Sequence, residues 1–154
     1  MGPFLERIKM EGFGAFAHKG VGPFKPGLNV VYGPNESGKT TTTKFVEGVL
    51  FGWEADRGNR NSYRPANAER AGSLFFTDPN DGTELEVSRR KNSEGLLGSE
   101  RAVSLFGDID KETFDTMFLL TGDELRSLRN TTDVTARLLT AGSGTASSPA
   151  HALA

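Results

Sequence analysis

The sequence predicts an α/β fold in which a short strand, a glycine-rich turn and a helix follow one another, and three observations carry that expectation. Residues 33–40 read GPNESGKT, a complete match to G-x-x-x-x-G-K-S/T. The five residues before them, Leu28-Asn29-Val30-Val31-Tyr32, are β-rich and launched by Pro26-Gly27. The eleven after Lys39 place Phe45, Val46, Val49 and Leu50 on one helical face before Gly52 ends the run. At ordinary residue usage the four fixed positions of the motif coincide in a chain of this length on the order of one per cent of the time.

A phosphate-binding loop needs those neighbours, because it works as the turn between a strand and a helix N-terminus. Gly33 and Gly38 let backbone N–H groups curl round a β-phosphate, and the helix start adds its unpaired donors and the positive end of its dipole. Lys39 is expected to bridge the β- and γ-phosphates of ATP, and the Thr40 hydroxyl to ligate Mg²⁺. The candidate nucleotide-binding set is therefore Gly33, Pro34, Asn35, Glu36, Ser37, Gly38, Lys39, Thr40 and Thr41, with Thr40 as the metal ligand. No catalytic residue is assigned.

The other elements follow in order. Residues 4–10 alternate as a strand, and Gly12-Phe13-Gly14 bends the chain, so a strand pair is expected ahead of the loop. Residues 53–72 turn polar and irregular and carry Arg57, Arg60, Arg64 and Arg70, which reads as a long solvated loop pinned by ion pairs. Residues 73–77 and 84–88 flank Asp78-Pro79-Asn80-Asp81-Gly82, which is hairpin chemistry. Residues 101–106 are expected to add a strand. Asp110 reads as the N-cap of a helix over 111–120, with a second helical piece over 123–128. From Ala141 the run AGSGTASSPAHALA has no apolar face and reads as a disordered or truncated end.

With 154 residues, 36% hydrophobic and 25% charged, the chain has material for one modest core. A net charge of −2 gives no global pull towards nucleic acid or acidic membranes, so a DNA contact would need a local patch. No cysteine is present, which removes disulfides and thiolate metal sites. The start MGPFLERIK has no apolar core of a signal peptide, Glu6 stands where a myristoylation signal wants Ser or Thr, and no transmembrane run occurs. A cytoplasmic address without membrane contact is expected.

Taken together, RIKMEGFGAF, GLNVVYGPNESGKTTT, the helix ending VLFGW, SYRPAN and ETFDTMFLLTGDEL resemble the N-terminal lobe of a YhaN-type AAA/ABC-like ATPase, grouped with the SbcC, RecF and SMC-like ATPases. The resemblance implies a P-loop NTPase fold: a partial ABC-type head with a mixed sheet over residues 1–140, followed by a tail over 141–154. It implies ATP and Mg²⁺ as cofactors. It implies a C-terminal lobe and a second head as partners, since in that family the Walker B acids and the signature motif stand beyond a long coiled coil. DNA and a nuclease subunit are further partners it suggests, in chromosome maintenance or DNA repair.

This chain departs from the family in two ways. It has no heptad run or signature motif, and the nearest acidic pair, Asp123-Glu124, follows Thr121-Gly122, so it reads as a helix start rather than Walker B. Related heads carry a glutamine in this neighbourhood; here it reads Leu120-Thr121-Gly122-Asp123. Hydrolysis by this chain alone is thus not expected. Two other readings compete. A self-sufficient GTPase would show Asn-Lys-x-Asp and Asp-x-x-Gly, which do not occur, and a kinase would need a lid of catalytic arginines. A non-catalytic fragment would act through protein or DNA contacts. Among single residues, Tyr63 is a candidate to stack on a base, His18 reads as a turn or surface residue, Trp53 as a core lid, and Gly48 as a close packing contact.

Overall fold

The computed structural model describes residues 1–55 and 63–120. Two compact units divide the chain, Met1–Asp108 and Ile109–Ala154. The first holds five strands and two helices. β1 (Phe4–Phe13) pairs with β2 (Phe16–Val21), and on its other side with β3 (Ala71–Thr77); β3 pairs with β4 (Glu84–Arg89), and β4 with the short β5 (Leu97–Gly98). The order is β2-β1-β3-β4-β5, antiparallel throughout. Helix α1 (Lys39–Phe51) packs across β1, β3 and β4, and α2 (Glu100–Gly107) covers β4 and β5.

Both expected hairpins form. Gly14 turns β1 into β2, with Phe13 opposite Phe16. At the β3–β4 turn Asp78 N–H donates to the Thr83 carbonyl at 2.9 Å, while Asp78 Oδ1 and Asp81 Oδ1 accept from the backbone of Asn80 and Thr83. Gly82 at φ 71° supplies the left-handed position. The central strand β3 does not alternate: residues 72–76 are all buried. Its inner side chains, Leu74 and Phe76, enter the core with Ile8, Met10, Phe13, Phe45, Val49, Leu85, Val87 and Ala102. Its outer ones are covered by polar neighbours. The Arg7 guanidinium lies 3.9 Å from the Phe75 ring centre, and Ser73 donates to Glu86 at 2.7 Å.

Two expectations are corrected. Residues 101–106 form α2, not a strand. Ser99 Oγ accepts from Ala102 N–H, Glu100 sits in the first turn, and Ala102 and Phe106, four apart, share the inner face; Phe106 stacks on Phe76 at 4.1 Å. Capping decided the element where apolar content alone suggested a strand. The sheet expected to be mixed is antiparallel among the described residues, because the run 28–32 joins no sheet. Leu28 is 93% and Tyr32 92% exposed, and Val30 and Val31 lie open as well. A strand is stable only where a neighbour accepts its backbone, and none of the five strands lies against this run.

In the second unit, α3 (Lys111–Met117) starts where expected, with Asp110 accepting from the Thr113 N–H at 2.8 Å. It ends three residues earlier than the periodicity suggested, Phe118 N–H returning to the Phe114 carbonyl. The helical piece over 123–128 and the tail 141–154 lie outside the described residues, as do Arg57 and Arg60.

Gly48 faces Trp53. A Cβ there would stand 2.4 Å from Trp53 Cε3, and the indole is held by Phe13 and Phe45 at 5.6 and 5.9 Å. Gly48→Ala should therefore destabilise the first unit by about 1–3 kcal/mol, the overpacking cost exceeding the helix-propensity gain of about 1 kcal/mol, seen as a lower denaturant midpoint. A midpoint that rises instead would show that the indole swings aside freely. In the second unit the Thr113 N–H, and after it the Thr113 hydroxyl, hold the Asp110 carboxyl below its ordinary 3.8. A depressed carboxylate stabilises above its unfolded pKa and loses that contribution as pH falls through the folded value. Protection factors of the α3 amides, the intrinsic exchange rate at each pH divided by the observed one, should accordingly fall below about pH 4, and Asp110→Ala should lower them at neutral pH and flatten that fall.

Candidate nucleotide-binding site

The loop 33–40 passes directly into α1. Gly38, the residue before the helix, takes φ 95°, and no side chain caps the first turn. The leading N–H groups of α1 are thus left for an external acceptor, and no acidic side chain occupies the first turn to oppose an anion. Gly38 is also where the β1–β2 hairpin touches the loop: a Cβ at this position would lie 2.5 Å from Phe16 Cζ. Conformation and contact both require glycine here.

Lys39 folds back over the loop. Its ammonium donates to the Gly33 carbonyl, to the Pro34 carbonyl at 2.9 Å and to Ser37 Oγ at 3.4 Å. The cation is therefore held at the centre of the turn by three oxygens of the loop itself. Ser37 N–H returns to the Pro34 carbonyl at 3.2 Å, closing the turn, and Glu36 takes φ 67°. Thr42 Oγ1 donates to the Gly38 carbonyl at 2.8 Å, stitching the helix start.

A cavity of about 450 Å³ opens at this place. One wall is the loop and helix start: Asn35, Glu36, Gly38, Lys39, Thr40 and Thr41. The opposite wall is Gly14, Ala15 and Phe16 of the hairpin turn with Tyr63. Six of the nine predicted residues thus line one cavity. Gly33, Pro34 and Ser37 stand behind it as acceptors for Lys39. Thr40 reaches it exposed, with its hydroxyl at the helix start. Among the described residues no three His, Asp or Glu side chains converge as a metal cage. One hydroxyl beside phosphate oxygens and water is nonetheless the donor set Mg²⁺ takes in nucleotide sites, so Thr40 fits that ion when a nucleotide brings the remaining oxygens.

The hairpin wall was not legible beforehand. The Gly12-Phe13-Gly14 bend signalled a turn, but nothing local says that its tip reaches the loop some twenty residues on. Tyr63 is corrected in part: its ring lies parallel to Phe13, 4.9 Å apart at 9°, so that one face is spent on the core while the residue still lines the cavity. Its carbonyl accepts from Gly14 N–H at 2.6 Å, fixing the loop end to the hairpin tip. His18 is exposed on β2 with φ 52° and does not line the cavity. Arg64 pairs with Glu69 at 3.1 Å, the ion pairing expected of this loop, and Arg70 donates to the Glu54 carbonyl at 2.7 Å. Trp53 packs as the lid expected of it. Asp123, Glu124 and the neighbourhood of the missing glutamine lie outside the described residues.

The chain is similar to the protein YhaN of Bacillus subtilis (strain 168), which carries no characterised function, at 29% identity over 89 residues. That alignment takes in 56% of this chain and 9% of YhaN, so the chain spans only a small part of its relative. A model of the AAA domain matches residues 4–153, nearly the whole sequence and the cavity with it. A match of that extent places this YhaN-like chain in the AAA domain family.

Proposed function

We propose that the chain is the ATP-binding N-terminal lobe of a P-loop ATPase with an ABC-type split head, and that hydrolysis requires a second lobe. The observation that carries this reading is the cavity in which Lys39 and the uncapped N-terminus of α1 face the hairpin tip and Tyr63. Positive charge and bare N–H groups on one side and mainly small or aromatic surface on the other suit a nucleotide laid with its phosphates on the loop and its base towards Ala15, Phe16 and Tyr63.

The chain's own residues account for binding. Backbone N–H groups from residue 38 onward receive phosphate oxygens, and the helix dipole favours their charge. Lys39 exchanges the Gly33 and Pro34 carbonyls for phosphate oxygens, which carry full charge and so compete well for the ammonium. Thr40 would hold Mg²⁺ through its hydroxyl oxygen. The bound ion would neutralise charge building on the transferring phosphoryl group. Glu36 is the one carboxylate among the described residues that line the cavity, and it sits on the loop itself. On this reading, acids that orient an attacking water come from the second lobe.

The exposed run 28–32 supports the same partner. Leu28, Val30, Val31 and Tyr32 stand open on the segment that delivers the loop. Apolar residues in a β-rich run that joins no strand among the described residues suit docking by strands of the C-terminal lobe. A second head, DNA, a nuclease subunit and a role in chromosome maintenance or repair follow from the resemblance to SbcC-like ATPases. A cytoplasmic site of action goes with them, and no helix among the described residues is long and apolar enough to cross a membrane.

Calorimetry on the purified chain tests the site. Lys39→Ala should weaken Mg²⁺-ATP binding roughly ten- to a hundredfold, the loss expected for a charged hydrogen-bonding group. Unchanged affinity sinks the assignment. Thr40→Ala should reduce only the part of the affinity that depends on Mg²⁺. The chain alone should bind ATP without turning it over; steady hydrolysis abolished by Lys39→Ala would show instead a self-sufficient enzyme.

A further inference from the structure

The loop that holds Lys39 contains a turn that goes against ordinary turn chemistry. Ser37 N–H donates to the Pro34 carbonyl at 3.2 Å, so Asn35 and Glu36 are its two central residues, and Glu36 takes φ 67°. A positive φ at the second central position belongs to glycine or asparagine, since a Cβ there crowds the neighbouring backbone. Glycine serves two residues on, at Gly38 with φ 95°, but glutamate stands here. A residue held against its backbone preference points to a role for its side chain.

Pairing within the fold does not supply that role. Glu36 is exposed, and its carboxylate has no hydrogen bond or ion pair among the described residues. The Lys39 ammonium, three residues away, goes instead to the Gly33 and Pro34 carbonyls and to Ser37 Oγ. What Glu36 shares with Lys39 is the cavity. Among the described residues that line it, these two carry the formal charges, one of each sign.

A phosphate-binding cavity with one carboxylate for its one ammonium holds no net side-chain charge. Attraction for an anion then falls to the N–H groups at the start of α1, whose reach is short. Repulsion from Glu36 grows with the charge of what enters. A bare triphosphate brings its full charge, whereas in its Mg²⁺ complex part of that charge is cancelled and a cation is added that a carboxylate attracts.

We propose that Glu36 is a specificity-determining residue of this cavity, setting a preference for the Mg²⁺ complex of a nucleoside triphosphate by repelling the metal-free anion, a role that rests on reading the cavity as a P-loop nucleotide site. Calorimetry on the full chain measures ATP affinity twice, in excess Mg²⁺ and with the metal chelated, for the unsubstituted protein, Glu36→Gln and Glu36→Gly. Glutamine keeps the size and the backbone demand and removes only the charge; glycine removes both. Either variant should keep the fold, because the side chain is exposed and unbonded, and circular dichroism checks this. Glu36→Gln should tighten metal-free ATP roughly three- to tenfold and Mg²⁺-ATP about twofold or less, so that the preference narrows. Glu36→Gly should narrow it equally. Added salt should shrink the difference between the unsubstituted and Glu36→Gln chains, since an exposed charge is screened. An unchanged ratio of the two affinities in Glu36→Gln overturns the proposal, as does a difference that salt leaves untouched. A ratio that falls only because Mg²⁺-ATP binds more weakly also overturns it, by making Glu36 a partner of the ion. Lys39→Ala separates this failure from that of the site. Mg²⁺-ATP binding lost in Lys39→Ala, with the ratio unchanged in Glu36→Gln, leaves the P-loop standing without this role; binding of neither form by the unsubstituted chain removes both.

Discussion

The close seat of α1 on the sheet is the constraint from which the rest follows. At Gly72 a Cβ would lie 2.3 Å from the Lys9 carbonyl and 2.4 Å from Phe45 Cζ, so the central strand is pared back to backbone where the helix crosses it. Phe45 and Val49 are fully buried there, each worth about 1.5–3 kcal/mol of transfer free energy. With the helix fixed in its middle, both ends become fixed points. One end begins at the P-loop lysine, and the other is held by Arg89 on β4. Glycines relieve the contacts along the way: Gly38 under Phe16, Gly48 under Trp53 and Gly72 under Phe45.

The same seat organises the aromatic cluster. Tyr63 stacks on Phe13, Phe13 meets Phe45 edge-on at 5.4 Å and Trp53 at 5.6 Å, and these rings run from the wall of the cavity to Trp53, just past the end of α1. A shift of the hairpin tip at one end has to be accommodated by rings that are close-packed, because such cores repack in steps rather than deform smoothly.

Local chemistry was legible in the sequence; long-range pairing was not. GPNESGKT announced the loop and its lysine, Asp78 to Gly82 announced a hairpin, and Asp110 announced a helix start, since each is decided by groups a few residues apart. The region 101–106 was misread because apolar content outweighed a Ser99 cap whose weight shows only once the helix exists. The run 28–32 carries the composition of a strand, and composition cannot say whether a neighbour is present to receive its hydrogen bonds. The hairpin wall of the cavity is joined to the loop through tertiary contacts between residues far apart in the chain. No periodicity encodes them.

The direction of β1 has a practical consequence. Phe4 pairs with Thr77 at one end of the sheet, while Phe13 runs into the turn that borders the P-loop cavity at the other. At about 3.3 Å per residue the strand sets these points about 30 Å apart. A label, a surface tether or a fused domain attached ahead of Phe4 would join the sheet at the end opposite the hairpin turn that lines the cavity, so single molecules could be immobilised there without a tether at that turn.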